Sequence, residues 1–206
     1  MFRLARILLL ASALASCTAL KVVTHDVNND PVKAPAGTYH LDPHHWSITF
    51  DVAHFGYSRF VSRFDKAEAT LVAVPTTPEK SRVEVKIKAA SVDTNDPDLD
   101  AMLKSADLFD AGKYPDIRFV STALKRTGPN TGEMTGDMTI HGATHPLTLA
   151  VKFNGAAPDP LTGDDTIGFS ASGTFDRSHW GLSAWWPAVG NDVNVRIEAE
   201  FVKPGK

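Results

Sequence analysis

The sequence predicts an all-β protein, a single antiparallel β-barrel of about eight strands with one or two short helices near the mouth. Three observations carry that prediction. From Thr38 onward, apolar residues recur with a period of two, as they do on half-buried strands. Turn signals such as PTTPEKS, TGPNTG, HGATHP and APDPLTGDD are closely spaced and mostly short, so successive runs pair as antiparallel neighbours and not through crossover helices. Only one stretch has helical spacing.

The first segment stands apart from this pattern. MFRLAR carries two arginines and no acid, and Ile7–Ala13 is apolar or small. The run falls far below the roughly 20 residues of a membrane span, so residues 1–16 read as a secretory signal peptide. Cys17 is the only cysteine and follows Ala13, Ala15 and Ser16, small residues that suit a signal peptidase. Leu14-Ala15-Ser16-Cys17 resembles the lipobox of bacterial lipoproteins, in which the cysteine is diacylated and becomes the acylated N-terminus. That reading makes Cys17 the lipidation site of a membrane anchor, palmitate among its acyl chains. The protein is then expected in the bacterial cell envelope, facing the periplasm, and Thr18 points to the outer membrane by analogy with enterobacterial sorting. Residues 17–37 follow as lipidated Cys and flexible tether: TALKVVTHDVNNDPVKAPAG is polar, has two prolines and keeps no period.

Residues 38–203 form the barrel domain. Ile48, Phe50 and Val52 alternate with Thr49 and Asp51, and Val83, Val85, Ile87 and Ala89 with Glu84, Lys86 and Lys88. Leu147 to Phe153 and Ile167 to Phe175 repeat the pattern, and Val193 to Phe201 shows it most cleanly. DPDLDAMLKSADLFDAGKYP has Leu99, Met102, Leu103 and Leu108 at helical spacing, an Asp-Pro start, and Gly112 then Pro115 as a stop. RSHWGLSAWWPAVG is irregular and holds three of the four tryptophans.

Charge excludes one class of partner. The formal net charge is -3, and loss of Arg3 and Arg6 with the signal segment takes it to -5, so a nucleic acid is not expected. A barrel of about eight strands is either filled by its own side chains or holds one slender ligand. The inward set mixes Phe50, Phe119, Phe153, Phe169 and Phe175 with Ala171, Gly173, Ala199 and Gly136, and the small residues leave room unless large neighbours fill it.

Parity also nominates polar groups. His54 continues the Ile48–Phe50–Val52 face and Arg177 the Phe169–Phe175 face, so both are candidates for a polar head group at the mouth. The competing reading has each satisfied by a backbone carbonyl or an acid. Phe50, Val52, Phe119, Phe169, Phe175 and Trp180 are the expected cavity lining. Catalysis is not expected: GFSAS lacks the closing glycine of a nucleophile elbow, and no phosphate-loop, dinucleotide or H-E-x-x-H motif occurs. Nor is a metal or other cofactor. Asp96, Asp98, Asp100 and Asp107 mimic a calcium loop but have Ala101 at its glycine position, and His25, His40, His44, His45, His141 and His145 lack the spacing of a strong site. An envelope enzyme, a metal-binding stress protein and a solid-cored partner module remain the alternatives. Trp180, Trp185 and Trp186 would form the surface of the last.

Four blocks in order resemble the YceI-like family: YHLDPHHWSITFDVAHFGYSRFVSRF, SADLFDAGKYPDIRFVST, GDMTIHGATHPLTLAVKFNG, and GFSASGTFDRSHWGL followed by AVGNDVNVRIEAEF. The resemblance implies a lipocalin-like barrel and a periplasmic or secreted carrier of long apolar molecules, such as polyisoprenoids, fatty acids or fatty amides. The expected partners are thus a long-chain lipid or isoprenoid and the membrane, with a homodimer left open. Ser62, Met102 and His145 depart from the family, which often has Gly, His and Lys there.

Overall fold

The computed structural model describes residues 21–205, so the expected signal segment and Cys17 lie outside the described residues. Ten strands follow one another: β1 (Gly37–His54), β2 (Ser58–Phe64), β3 (Ala67–Ala73), β4 (Arg82–Lys88), β5 (Val92–Asp93), β6 (Asp116–Arg126), β7 (Thr131–Ile140), β8 (Ala143–Pro158), β9 (Asp165–Asp176) and β10 (Val189–Lys203). One α-helix, α1 (Pro97–Lys104), lies between β5 and β6. Every pairing between strands is antiparallel.

Ten strands occupy eight positions around the wall. The long strand β1 pairs along one edge with β3 near its start (Gly37↔Ala73 to His40↔Thr70) and with β2 near its end (Ile48↔Phe64 to His54↔Ser58), so β2 and β3 together make one bent strand. β5 is a two-residue spur on β2. The other edge of β1 pairs with β10 from His40↔Val202 to His54↔Val189, which closes the sheet into a barrel. The alternating segments Val193–Phe201 and Ile167–Phe175 occur in register as β10 and β9, with Ala199 opposite Phe169 and Ile197 opposite Ala171.

The two ends differ. At one end, the starts of β1, β4, β7 and β9 meet the ends of β3, β6, β8 and β10. At the other, the segment after β5 folds under the barrel, burying Leu108 and bringing Phe109 into the core beside Phe64, Ile117, Ile140, Trp180 and Leu182. The helix α1 starts as its sequence predicts: Asp96 caps it by accepting from the backbone N–H of Asp98 and Leu99, and Pro97 occupies the first turn. Asp100 accepts from both the Thr94 hydroxyl and its N–H at 2.7 and 2.8 Å. The Asp-rich segment thus builds a helix start. The expected short helix sits at this plugged end, away from the open one.

Hydrogen bonds hold four carboxyls below the ordinary aspartate range: Asp42, against its partial burial, by His44 and His45, Asp100 by Thr94, Asp159 by the backbone of Thr162 and Leu161, and Asp176 by Ser178. A lowered folded-state value means that the stabilisation is present above the unfolded value, about 4, and is lost as pH falls through the folded one. Thermal unfolding followed between pH 6 and 2 is therefore expected to show stability falling as the pH drops below about 4.

Gly136 has a different role from the one its small size suggested. The ring of Phe119 from the adjacent β6 lies across it: an added Cβ would meet that ring, with Cε2 at 2.7 Å, and the Val120 carbonyl at 2.6 Å. The space is taken, and Gly173 is similarly covered by Leu149 at 2.8 Å. Gly136→Ala is expected to cost about 1–3 kcal/mol through overpacking, read as a lowered melting temperature.

The segment before β1 is attached over part of its length. Asn28 bridges Ala156 of β8 through two backbone hydrogen bonds of 3.1 and 2.8 Å, Pro31–Lys33 forms a 3-10 turn, and Lys203 donates to the Ala36 carbonyl. Residues 28–36 thus lie on the barrel, which the tether reading of 17–37 did not anticipate.

Candidate ligand cavity

The interior of the barrel holds a cavity of about 260 Å³, open at the end where β1 starts. A single water needs roughly 10–15 Å³, so the inward side chains leave far more than packing defects behind. Its rim is formed by Pro31, Ala34, Pro75, Pro78, Arg82, Arg126 and Pro129. Four prolines there withhold backbone donors from the opening. Below the rim the walls are Leu71, Val85, Phe119, Leu149, Phe169, Ala171 and Ala199, and the floor is Ile117, Met138, Leu147 and Phe175.

The half-buried state of Val85, Phe169, Ala171, Val195, Ile197 and Ala199 follows from this space: they point inward, yet their exposed area faces the cavity. Ser121 is the buried polar residue in the wall, and its hydroxyl accepts from the Val83 N–H at 2.9 Å. Arg118 and Glu198 border the cavity, but their side chains are engaged outside the wall, with Glu84 at 2.6 Å and with the Ser170 hydroxyl at 2.6 Å. The deep cavity therefore offers dispersion contacts and apolar surface with few polar partners.

The structure distributes the sequence-nominated residues between the two ends. Phe119, Phe169 and Phe175 line the cavity. Phe50 points inward but lies lower, with its ring stacked on Phe64 at 5.3 Å, and Val52 follows it towards the plugged end; neither borders the cavity. His54 ends β1 with an exposed side chain against Phe55. Trp180 lies beneath the floor, 2% exposed, with Nε1 donating to the Met138 carbonyl at 3.0 Å and its ring edge-on to Phe175.

Arg177 departs most from its nomination. It is buried at the plugged end, and its guanidinium donates to the carbonyls of Gly190 and Ala184 at 2.9 Å, Val189 at 3.0 Å and Leu182. Burial lowers its pKa, with Asp176 opposing. Parity correctly turned the side chain inward, but four carbonyls of the 182–190 loop use its donors and no head group can reach it. That loop holds Trp185 and Trp186 outward beside exposed Phe55, again at the plugged end.

Arg82 and Arg126 at the rim were missed. Each ends or begins a strand next to a turn, where alternation no longer tells inside from outside. Among the described residues, Asp42, His45 and Glu200 bring three possible metal donors within 4.8 Å of one another, on a β1 bulge where residues 42–45 oppose Glu200 alone. Asp42 accepts from the His44 and His45 N–H groups and pairs with His45 Nδ1 at 3.2 Å, which raises the imidazole pKa. Of the histidines weighed in the sequence, His45 joins this group and His44 does not, and the acids beside it come from the bulge and from β10.

Residues 39–201 match the model of the YceI-like domain. The chain belongs to the YceI-like family. A UPF0312 protein of Pseudomonas putida (strain W619) is 35% identical over 173 residues, covering 83% of this chain and 89% of that protein. The solved Campylobacter jejuni YCEI protein is 31% identical with a TM-score of 0.67, over 73% of this chain and 89% of that one. A polyisoprenoid binding domain from Saccharophagus degradans shares the fold at 12% identity, with a TM-score of 0.62 over 82% of this chain and all of that one. YceI-like membership and the eight-position closed barrel thus agree with what the four sequence blocks implied.

Proposed function

We propose that this YceI-like protein is a non-catalytic carrier that holds one long apolar molecule, of polyisoprenoid, fatty acid or fatty amide type, in its barrel at the bacterial cell envelope. The observation that carries the reading is the open apolar cavity of about 260 Å³, whose lining residues remain half-exposed until something fills it. The polyisoprenoid binding named for the Saccharophagus degradans domain supports the same class of ligand. A chain arriving from a bilayer leaves one apolar medium for another, so its transfer is close to neutral, and length and shape set selectivity. An acyl anchor on Cys17 would keep the cavity near that source. Residues 28–36 strengthen this arrangement, because Pro31 and Ala34 on the anchor side of β1 form part of the rim. At most about 3.6 Å per residue separates Cys17 from Pro31, a reach of roughly 50 Å.

Native mass spectrometry with organic extraction, on the full chain purified from a bacterial envelope, tests the proposal. A stoichiometric long-chain molecule and an N-terminal mass matching acylated Cys17 are expected. A protein that is empty and takes up neither an added isoprenoid nor an added fatty amide overturns it.

A further inference from the structure

The chain carries seven arginines among the described residues, and five are accounted for. Arg59 and Arg196 pair with Asp51, Arg63 with Asp65 and Arg118 with Glu84. Arg177 is spent on four carbonyls. The remaining two, Arg82 and Arg126, have no carboxylate of the described residues within 4.0 Å, and both stand on the rim of the cavity. They are held in place without being used up. The Arg82 NH1 donates to the carbonyls of Glu79 and Ser81 at 3.0 and 2.7 Å, which leaves Nε and NH2 open, and the Arg126 NH2 donates to the Pro129 carbonyl at 2.9 Å. A guanidinium has five donors in a fixed fork, so most remain available at each residue and their orientation is restricted beforehand.

The walls below hold no charged side chain free to meet a head group: Ser121 is the buried polar residue there, and Arg118 and Glu198 are engaged outside the wall. A ligand with one polar end must therefore leave that end at the rim. Resting on the carrier reading above, we infer that the molecule has an anionic head group, a carboxylate or a phosphate monoester, and that Arg82 and Arg126 receive it while the tail lies in the barrel. The nearby charges are mixed: Lys80 and Glu79 share the 3-10 turn before β4, and Lys125 stands opposite Glu133. The preference thus rests on these two forks more than on the general field of the rim, and charge-assisted bonds are the stronger kind they can form.

The test compares oleate, oleyl phosphate and oleyl alcohol on the delipidated full chain, by quenching of tryptophan fluorescence and by competition in native mass spectrometry. One or both anions are expected to bind at least about tenfold more tightly than the alcohol. The Arg82→Gln/Arg126→Gln variant is expected to lose that preference while keeping the affinity for the alcohol. A preference for oleate alone names a fatty acid-like ligand, and one for oleyl phosphate alone a lipid phosphate. Equal binding of all three, or a preference that survives in the variant, overturns the inference and leaves the carrier function standing. Failure of all three to bind overturns the inference, and it overturns the carrier reading as well only where an added isoprenoid and an added fatty amide also fail to load.

Discussion

Arg177→Ala is expected to lower the melting temperature of the barrel by about 10 °C, an unusually large effect for a single arginine. The substitution strips the donors from four backbone carbonyls, those of Leu182, Ala184, Val189 and Gly190, at a site where the arginine is 6% exposed. Each buried acceptor left without a partner costs about 1–3 kcal/mol, and water entering the vacated space recovers part of that, so a net loss of about 3–5 kcal/mol follows. The damage should spread from the 182–190 loop to the start of β10, because Val189 and Gly190 open that strand. Hydrogen exchange is the measurement that locates it, with protection lost first in 182–193. Arg177→Lys retains the charge but cannot reach four acceptors at once, and is expected to recover only a fraction of the stability. A melting temperature unchanged in the alanine variant would show that the clamp carries no weight.

Ala171→Phe should act in the opposite manner, leaving the fold intact and abolishing ligand uptake. Ala171 lies between Val151 of β8 and Ile197 of β10, both bordering the cavity, at mid-height in the wall. A phenyl ring there projects into the space a chain would thread. It buries apolar area without displacing neighbours, so stability should hold or rise by about 0.5–2 kcal/mol. Occupancy by a copurifying long-chain molecule is expected to drop more than tenfold, read by native mass spectrometry beside a melting curve. Undiminished occupancy in a folded variant would move the binding site out of the barrel.

These two positions also show how far alternation can be read. Period two identified the faces of β9 and β10 and placed both Ala171 and Arg177 inward. It carries no information about distance along the barrel axis, and that distance separates a wall residue from one sealed beneath the floor. The sealing comes from contacts far apart in sequence: Phe109 on Phe64, and Trp180 on the Met138 carbonyl. His54 was assigned to the mouth and Val52 to the cavity lining for the same reason, because the direction in which β1 runs is set only when the segment after β5 plugs one end. Gly136 exposes a second gap, since an inward glycine reads as empty space until the neighbouring Phe119 is seen across it. The Asp-rich start of α1 was legible without such help, its cap depending on residues two and three positions away.

The seam between β1 and β10 joins the first strand of the barrel to its last, from His40 opposite Val202 to His54 opposite Val189. Chain order therefore makes closure the final event of biogenesis: until Val202 has left the ribosome or the export channel, β1 lacks its main neighbour and the sheet remains an open trough. Pairings separated by well over a hundred residues form slowly, in the millisecond-to-second range of high-contact-order proteins. Throughout that interval two unsatisfied strand edges and the whole apolar interior face the surroundings, a template for aggregation. A nascent chain of this design thus depends on a protected passage, and a truncation ending before Val189 would lose far more than the fifteen residues of β10.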